Sequence, residues 1–100
     1  MSAKEFFDTL ETRVDPARTA GMNNSYVFDI EGAGKWKVDV KDGSVSVIEG
    51  AEDADVTITT SEETFEKITR GEQNATSAYM TGKLKVKGDM GAAMKLQKLF

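Results

Sequence analysis

Between Tyr26 and Thr60 apolar and polar residues alternate through four short runs separated by turn residues. A period of two dictates strands with one buried face, so this stretch limits the chain to a sheet of short, mostly antiparallel strands. In the first run Tyr26, Phe28 and Ile30 take one side, and Val27, Asp29 and Glu31 the other. Gly32 and Gly34 make the turn. The second run is cleaner, with Trp36, Val38 and Val40 inward against Lys35, Lys37, Asp39 and Lys41 outward. Asp42 and Gly43 then specify a tight type I′ hairpin, because both turn positions need positive φ. A third strand, Val45 to Glu49, completes a meander. An acidic loop, Gly50 to Ala54, leads to the fourth, defined by Val56, Ile58 and Thr60.

Outside this stretch the period is helical. Ser2 and Glu5 form a capping-box pattern, and Phe6, Phe7, Leu10 and Val14 share one face of an N-terminal helix that Asp15 and Pro16 stop. Ala17 to Asn24 reads as a connecting loop. After the fourth strand, Thr60 or Ser61 caps a helix with Glu62 and Glu63 at its positive end and Phe65 and Ile68 inward. Glu63 with Lys67, and Glu66 with Arg70, are spaced to pair along its exposed side. Gly71 ends it. Asn74 caps a short helix carrying Ala75, Ala78, Tyr79 and Met80, which Gly82 ends. A strand, a helical crossover and a fifth strand from Leu84 to Lys87 are expected to make a parallel pair. The fold class is therefore α+β: a five-stranded mixed sheet with its helices gathered on one face.

One hundred residues make a single domain, 1–100, with one core. There is no cysteine and no histidine, which removes disulfides, thiol chemistry, the commonest general base and the commonest metal ligands. The carboxylates Glu49, Glu52, Asp53 and Asp55 lack the spacing that folds oxygens around calcium, and read as a solvated loop. Gly88, Asp89, Met90 and Gly91 stand where a phosphate-binding turn would, but a carboxylate there serves the helix N-terminus and repels phosphate. No cofactor, metal site or catalytic pair is indicated. A formal charge of −4 argues against nucleic acid as a partner. With no apolar run of membrane-spanning length and no signal-peptide pattern, a cytoplasmic location is expected.

The last quarter carries the candidate site. From Asp89 to Phe100 the residues fit an amphipathic helix on which Met90, Met94 and Gln97 form one stripe. Methionines suit a surface that must accept apolar partners of different shapes, and a glutamine among them can orient a polar end. Five of the thirteen basic residues (Lys83, Lys85, Lys87, Lys95 and Lys98) fall in the final eighteen positions, where Asp89 is the only acid. Lysines protect an edge strand from pairing, and a basic rim can also touch an anionic membrane.

The run GKLKVKGDMGAAMKLQKLF, Gly82 to Phe100, resembles the ending of the sterol carrier protein type 2 domain. WKVDVKDG (Trp36 to Gly43), ADVTITTS (Ala54 to Ser61) and ITRGEQNATSAYMTGK (Ile68 to Lys83) support it upstream, so the resemblance covers nearly everything from about Tyr26 onward. It implies a hydrophobic tunnel between sheet and helices that binds and transfers fatty acid, fatty acyl-CoA, phospholipid or sterol without a reaction. Met90, Met94 and Gln97 become leading wall residues. Trp36, Phe65, Ile68, Tyr79, Met80, Leu84 and Phe100 are further candidates, taken from the inward pattern. The ending at Phe100 suggests a stand-alone microbial protein. The alternative is an accessory domain of the same fold with a self-filled groove, working with a partner enzyme.

Overall fold

The computed structural model describes residues 3–50 and 53–95, with only the backbone of Pro16 and Arg18. Helix α1 (Ala3–Arg13) and a single turn α2 (Pro16–Thr19) precede strands β1 (Asn23–Glu31), β2 (Gly34–Lys41), β3 (Ser44–Glu49) and β4 (Val56–Ser61). Helices α3 (Glu62–Thr69) and α4 (Ala75–Met80), strand β5 (Leu84–Gly88) and helix α5 (Met90–Met94) complete the order. The sheet runs β3-β2-β1-β4-β5. It is a five-stranded mixed sheet, the class expected.

Its one parallel pair is not the expected one. β4 and β5 are antiparallel, with Thr60 opposite Leu84 and Val56 opposite Gly88, and it is β1 and β4 that run parallel. The reason lies in the two helices between β4 and β5. A single helix would carry the chain to the far end of the sheet, whereas α3 and α4 go out and back. The chain therefore re-enters beside the point it left, where the Thr60 hydroxyl donates to the Lys83 carbonyl at 2.8 Å. The segment after α1 also departs from the expected loop. Asp15 and Pro16 end one helix and start another, since the Asp15 carboxylate accepts from the Ala17 amide at 2.9 Å and proline fits a first turn.

The turn and cap readings are realised locally. Asp42 and Gly43 have φ of 44° and 89°, the two positive values that a type I′ hairpin requires. Ser61 caps α3 through the Thr64 amide, and Asn74 caps α4 through those of Thr76 and Ser77. The Ser2 cap lies outside the described residues. Lys67 meets Glu63 at 3.4 Å, but Arg70, at the helix end, turns to Glu72 rather than Glu66.

One face of the sheet carries the core. Tyr26, Phe28, Ile30, Trp36, Val38, Val40, Val56, Ile58 and Leu84 meet Phe6, Phe7 and Leu10 of α1, Phe65 and Ile68 of α3 and Ala92 of α5 in a single buried cluster. Its centre is aromatic. Phe7 stacks between Trp36 and Phe65, with ring centroids 4.7 and 5.3 Å away, while Phe6 meets it edge-on at 5.2 Å. Beneath α1 and α3 the space between helices and sheet is thus filled by rings.

Candidate functional site

The apolar space that remains lies at the β5 edge. A groove of about 290 Å³ is lined by Ala75, Thr76, Tyr79 and Met80 of α4, Leu84 and Val86 of β5, and Met90, Ala93 and Met94 of α5. Each wall has a local cause. The Asn74 cap and the Gly82 end confine α4 to two turns. Alternation in β5 turns Leu84 and Val86 toward the helices and Lys85 and Lys87 away. Asp89 opens α5 by accepting from the amides of Gly91 and Ala92 at 2.9 and 3.2 Å, the capping role read from the sequence.

Among the described residues the groove has no charged wall. Its polar groups are the hydroxyls of Thr76 and Tyr79. Of the five large apolar side chains that are exposed among the described residues, four line it: Tyr79, Met80, Met90 and Met94. Met80 and Met94 are 79% and 82% exposed, a costly placement unless an apolar partner covers them.

Five of the sequence candidates, Tyr79, Met80, Leu84, Met90 and Met94, therefore meet in one groove. Trp36, Phe65 and Ile68 do not line it; they are buried in the core on the α1 and α3 side. The inward pattern identified which residues face the helical layer but not which helix covers them, and α1 fills that part with phenylalanine. Gln97, Phe100 and Lys98 lie outside the described residues. The lysines divide: Lys85 and Lys87 lie on the far side of β5 from the groove, whereas Lys95 follows α5.

Two further residues, one on β1 and one in the loop before β4, hold α5 in place. The Tyr26 hydroxyl donates to the Ala92 carbonyl at 2.7 Å, a buried bond from β1 to α5. Asp55 joins three elements. Its amide donates to the Ser25 hydroxyl at 3.0 Å, its carboxylate accepts from the Ser25 amide at 3.1 Å, and its carbonyl accepts from the Asp89 amide at 3.0 Å. A tyrosine at an inward strand position, with a hydroxyl that needs a partner when buried, was the available signal.

Burial, then the Asp55 and Asp89 charges, push the Tyr26 pKa up to about 12 from 10.0. The unfolded tyrosine loses its proton first, so stability from this group is complete below pH ~10 and is lost as pH rises toward ~12. Tyr26→Phe keeps the ring and removes the hydroxyl. The variant should be destabilised by about 1–3 kcal/mol at neutral pH. The difference from wild type should shrink in thermal melts taken between pH ~10 and ~12.

A second, polar cleft of about 200 Å³ lies at the opposite edge, between Phe7, Asp8, Glu11, Trp36, Val47 and Glu49. Trp36 is 3% exposed and its indole N–H meets no acceptor among the described residues, while Glu11 accepts from the Val47 amide at 2.7 Å. Among the described residues no group of three acidic side chains could hold a metal ion, and no helix is long and apolar enough to cross a membrane.

A mixed five-stranded sheet covered on one face, with an apolar groove walled by a terminal helix, defines a class of small apolar-ligand domains. The chain belongs to the SCP-2 sterol transfer family, whose family model matches residues 4–100. It is 37% identical over 99 residues to hydroxysteroid dehydrogenase-like protein 2 of Danio rerio, covering 95% of this chain and 24% of that protein. Among solved structures it resembles apo sterol carrier protein 2 from Yarrowia lipolytica, with TM-score 0.76 and 27% identity over 93% of this chain and 84% of that one. Palmitated SCP2L2 from Aedes aegypti is similar at TM-score 0.78 and 27% identity, covering 99% and 94%. The chain spans about a quarter of the length of the first curated relatives it matches.

Proposed function

We propose that the groove binds a long apolar chain, as fatty acid, fatty acyl-CoA, phospholipid or sterol, and carries it between sites without a chemical step. The observation that carries this reading is the convergence of Tyr79, Met80, Met90 and Met94, all exposed, on one concave and uncharged surface. Such an area is stabilised by an occupant rather than by water. Each methylene removed from water contributes about 0.8 kcal/mol, so affinity should follow acyl length more than headgroup. The palmitated Aedes aegypti relative supports a fatty acyl ligand. Gln97 and Phe100 extend the proposed site, and Trp36, Phe65 and Ile68 support it from the core. In this reading the protein is not an enzyme, works in the cytoplasm, uses no cofactor and has no nucleic-acid partner. Transient contact with an anionic membrane runs through Lys83, Lys85, Lys87, Lys95 and Lys98.

Delipidated protein titrated with a fluorescent long-chain fatty acid, then displaced by unlabelled acids of graded length and by palmitoyl-CoA, tests the reading. Saturable one-to-one binding that tightens with chain length is the expected result. Affinity indifferent to length would defeat it. A second reading, an accessory domain beside a partner enzyme, is favoured by the length of the relatives, including one named as a dehydrogenase-like protein. Absence of fatty-acid binding together with a self-filled groove would support that alternative.

A further inference from the structure

Among the described residues the other face of the sheet carries no helix, and its composition differs from the rest of the chain. The strand register places Ile48, Lys37, Val27, Thr57 and Lys87 in one row, and Lys35, Asp29, Thr59 and Lys85 in the next. The first row has no acid. Val27 is only 2% exposed yet belongs to no part of the core cluster, so its cover comes from this face. Lysine stems on the paired strands can cover it while their ammonium groups stay in water. Ile48, 54% exposed, is the fifth large exposed apolar residue and lies in that same row.

Charge separates the two sides of the molecule. Five strand lysines, at positions 35, 37, 41, 85 and 87, share the bare face with Asp29, Glu31 and Asp39, in a chain whose net charge is −4. Lys37, Lys41, Lys85 and Lys87 form no ion pair among the described residues. The helical layer is net acidic, with Glu5, Asp8 and Glu11 on α1 and Glu62, Glu63 and Glu66 on α3 against Lys4, Arg13 and Lys67. An anionic plane would attract one side and repel the other, which selects an orientation before contact.

We infer that the bare sheet face docks on an anionic lipid bilayer, with Lys37, Lys85 and Lys87 against the headgroups and Ile48 reaching into the interface. This orientation brings the β5 edge to the membrane, and the other side of that strand is the groove wall. The inference rests on the lipid-carrying reading for its purpose, but its chemistry is separate.

The test is co-sedimentation of the intact chain with phosphatidylcholine vesicles and with vesicles also containing phosphatidylglycerol. Binding to the anionic vesicles alone, weakened by salt, is expected. The Lys85→Glu/Lys87→Glu variant should partition at least roughly tenfold less, and Lys37→Glu should weaken binding in the same direction. Lys67→Glu, on the helical side, should not. Equal binding to neutral vesicles, an equal loss in Lys67→Glu, or no vesicle binding would overturn the inference. Binding of polyglutamate in place of vesicles would reassign the face to an acidic protein. Fluorescent fatty-acid binding, measured on the same variants in solution, should be unchanged; its loss alone would count against the groove reading and not against this one.

Discussion

Gly88→Ala is expected to be the most damaging small substitution in the chain, lowering stability by about 3 kcal/mol or more. Two costs coincide there. Gly88 has φ of +116°, where a side chain is strained by roughly 1–3 kcal/mol. A Cβ at that position would also lie 2.2 Å from the Asp55 carbonyl oxygen and 3.2 Å from the Val56 Cα. Those atoms are backbone and cannot rotate away. Asp55 is held by Ser25 on one side and Asp89 on the other, so relief by moving it would break the bonds that start α5. For a domain of this size, 3 kcal/mol corresponds to a fall in melting temperature of roughly 12–24 °C. Because the damage is at the root of α5, fatty-acid affinity should fall too, even below the melting transition. A melting temperature within a few degrees of wild type would show that the β5–α5 junction can shift, and that the groove wall is not set by it.

The turns, caps and core face were legible because each rests on a local rule. Asp42-Gly43, Ser61, Asn74 and Asp89 announce themselves by residue type and position, and their geometry depends on atoms only a few residues away. The pairing of β4 with β5 was not local. Whether a connection returns antiparallel or parallel depends on how many helices it contains and how they pack, and Gly71 marks a break without giving its angle. The site divided in the same way. Met90 and Met94 stood out as methionines on one stripe of a helix, and Tyr79 and Met80 came with the inward pattern. Trp36 and Phe65 satisfy the same inward pattern, but they are covered because α1 presents two adjacent phenylalanines whose depth no spacing rule reveals. Tyr26 and Asp55 act across thirty residues or more, and nothing in their own neighbourhoods records their partners.

Separating the filled core from the open groove yields the second large effect. Phe7→Ala should cost roughly 3–5 kcal/mol, because it removes the ring stacked between Trp36 and Phe65 and leaves a cavity that rigid aromatic neighbours cannot close. Met90→Glu should cost little stability. Met90 is partly exposed and opens α5, where a carboxylate is favoured by the positive helix end. Ligand affinity should respond in the opposite order. Met90→Glu places a charge on an otherwise uncharged wall, and desolvating it beneath an acyl chain should weaken fatty-acid binding by on the order of a hundredfold. Phe7→Ala, assayed where it remains folded, should bind within a few-fold of wild type, since Phe7 lines the polar cleft at the other edge and not the groove. Denaturant melts and fatty-acid titrations on both variants give four numbers, and the crossed pattern is the result expected. If Phe7→Ala instead bound long chains much more tightly than wild type, the ligand would be entering the space between α1 and the sheet. Tight binding by Met90→Glu would then point the same way, because an occupant there would never meet residue 90.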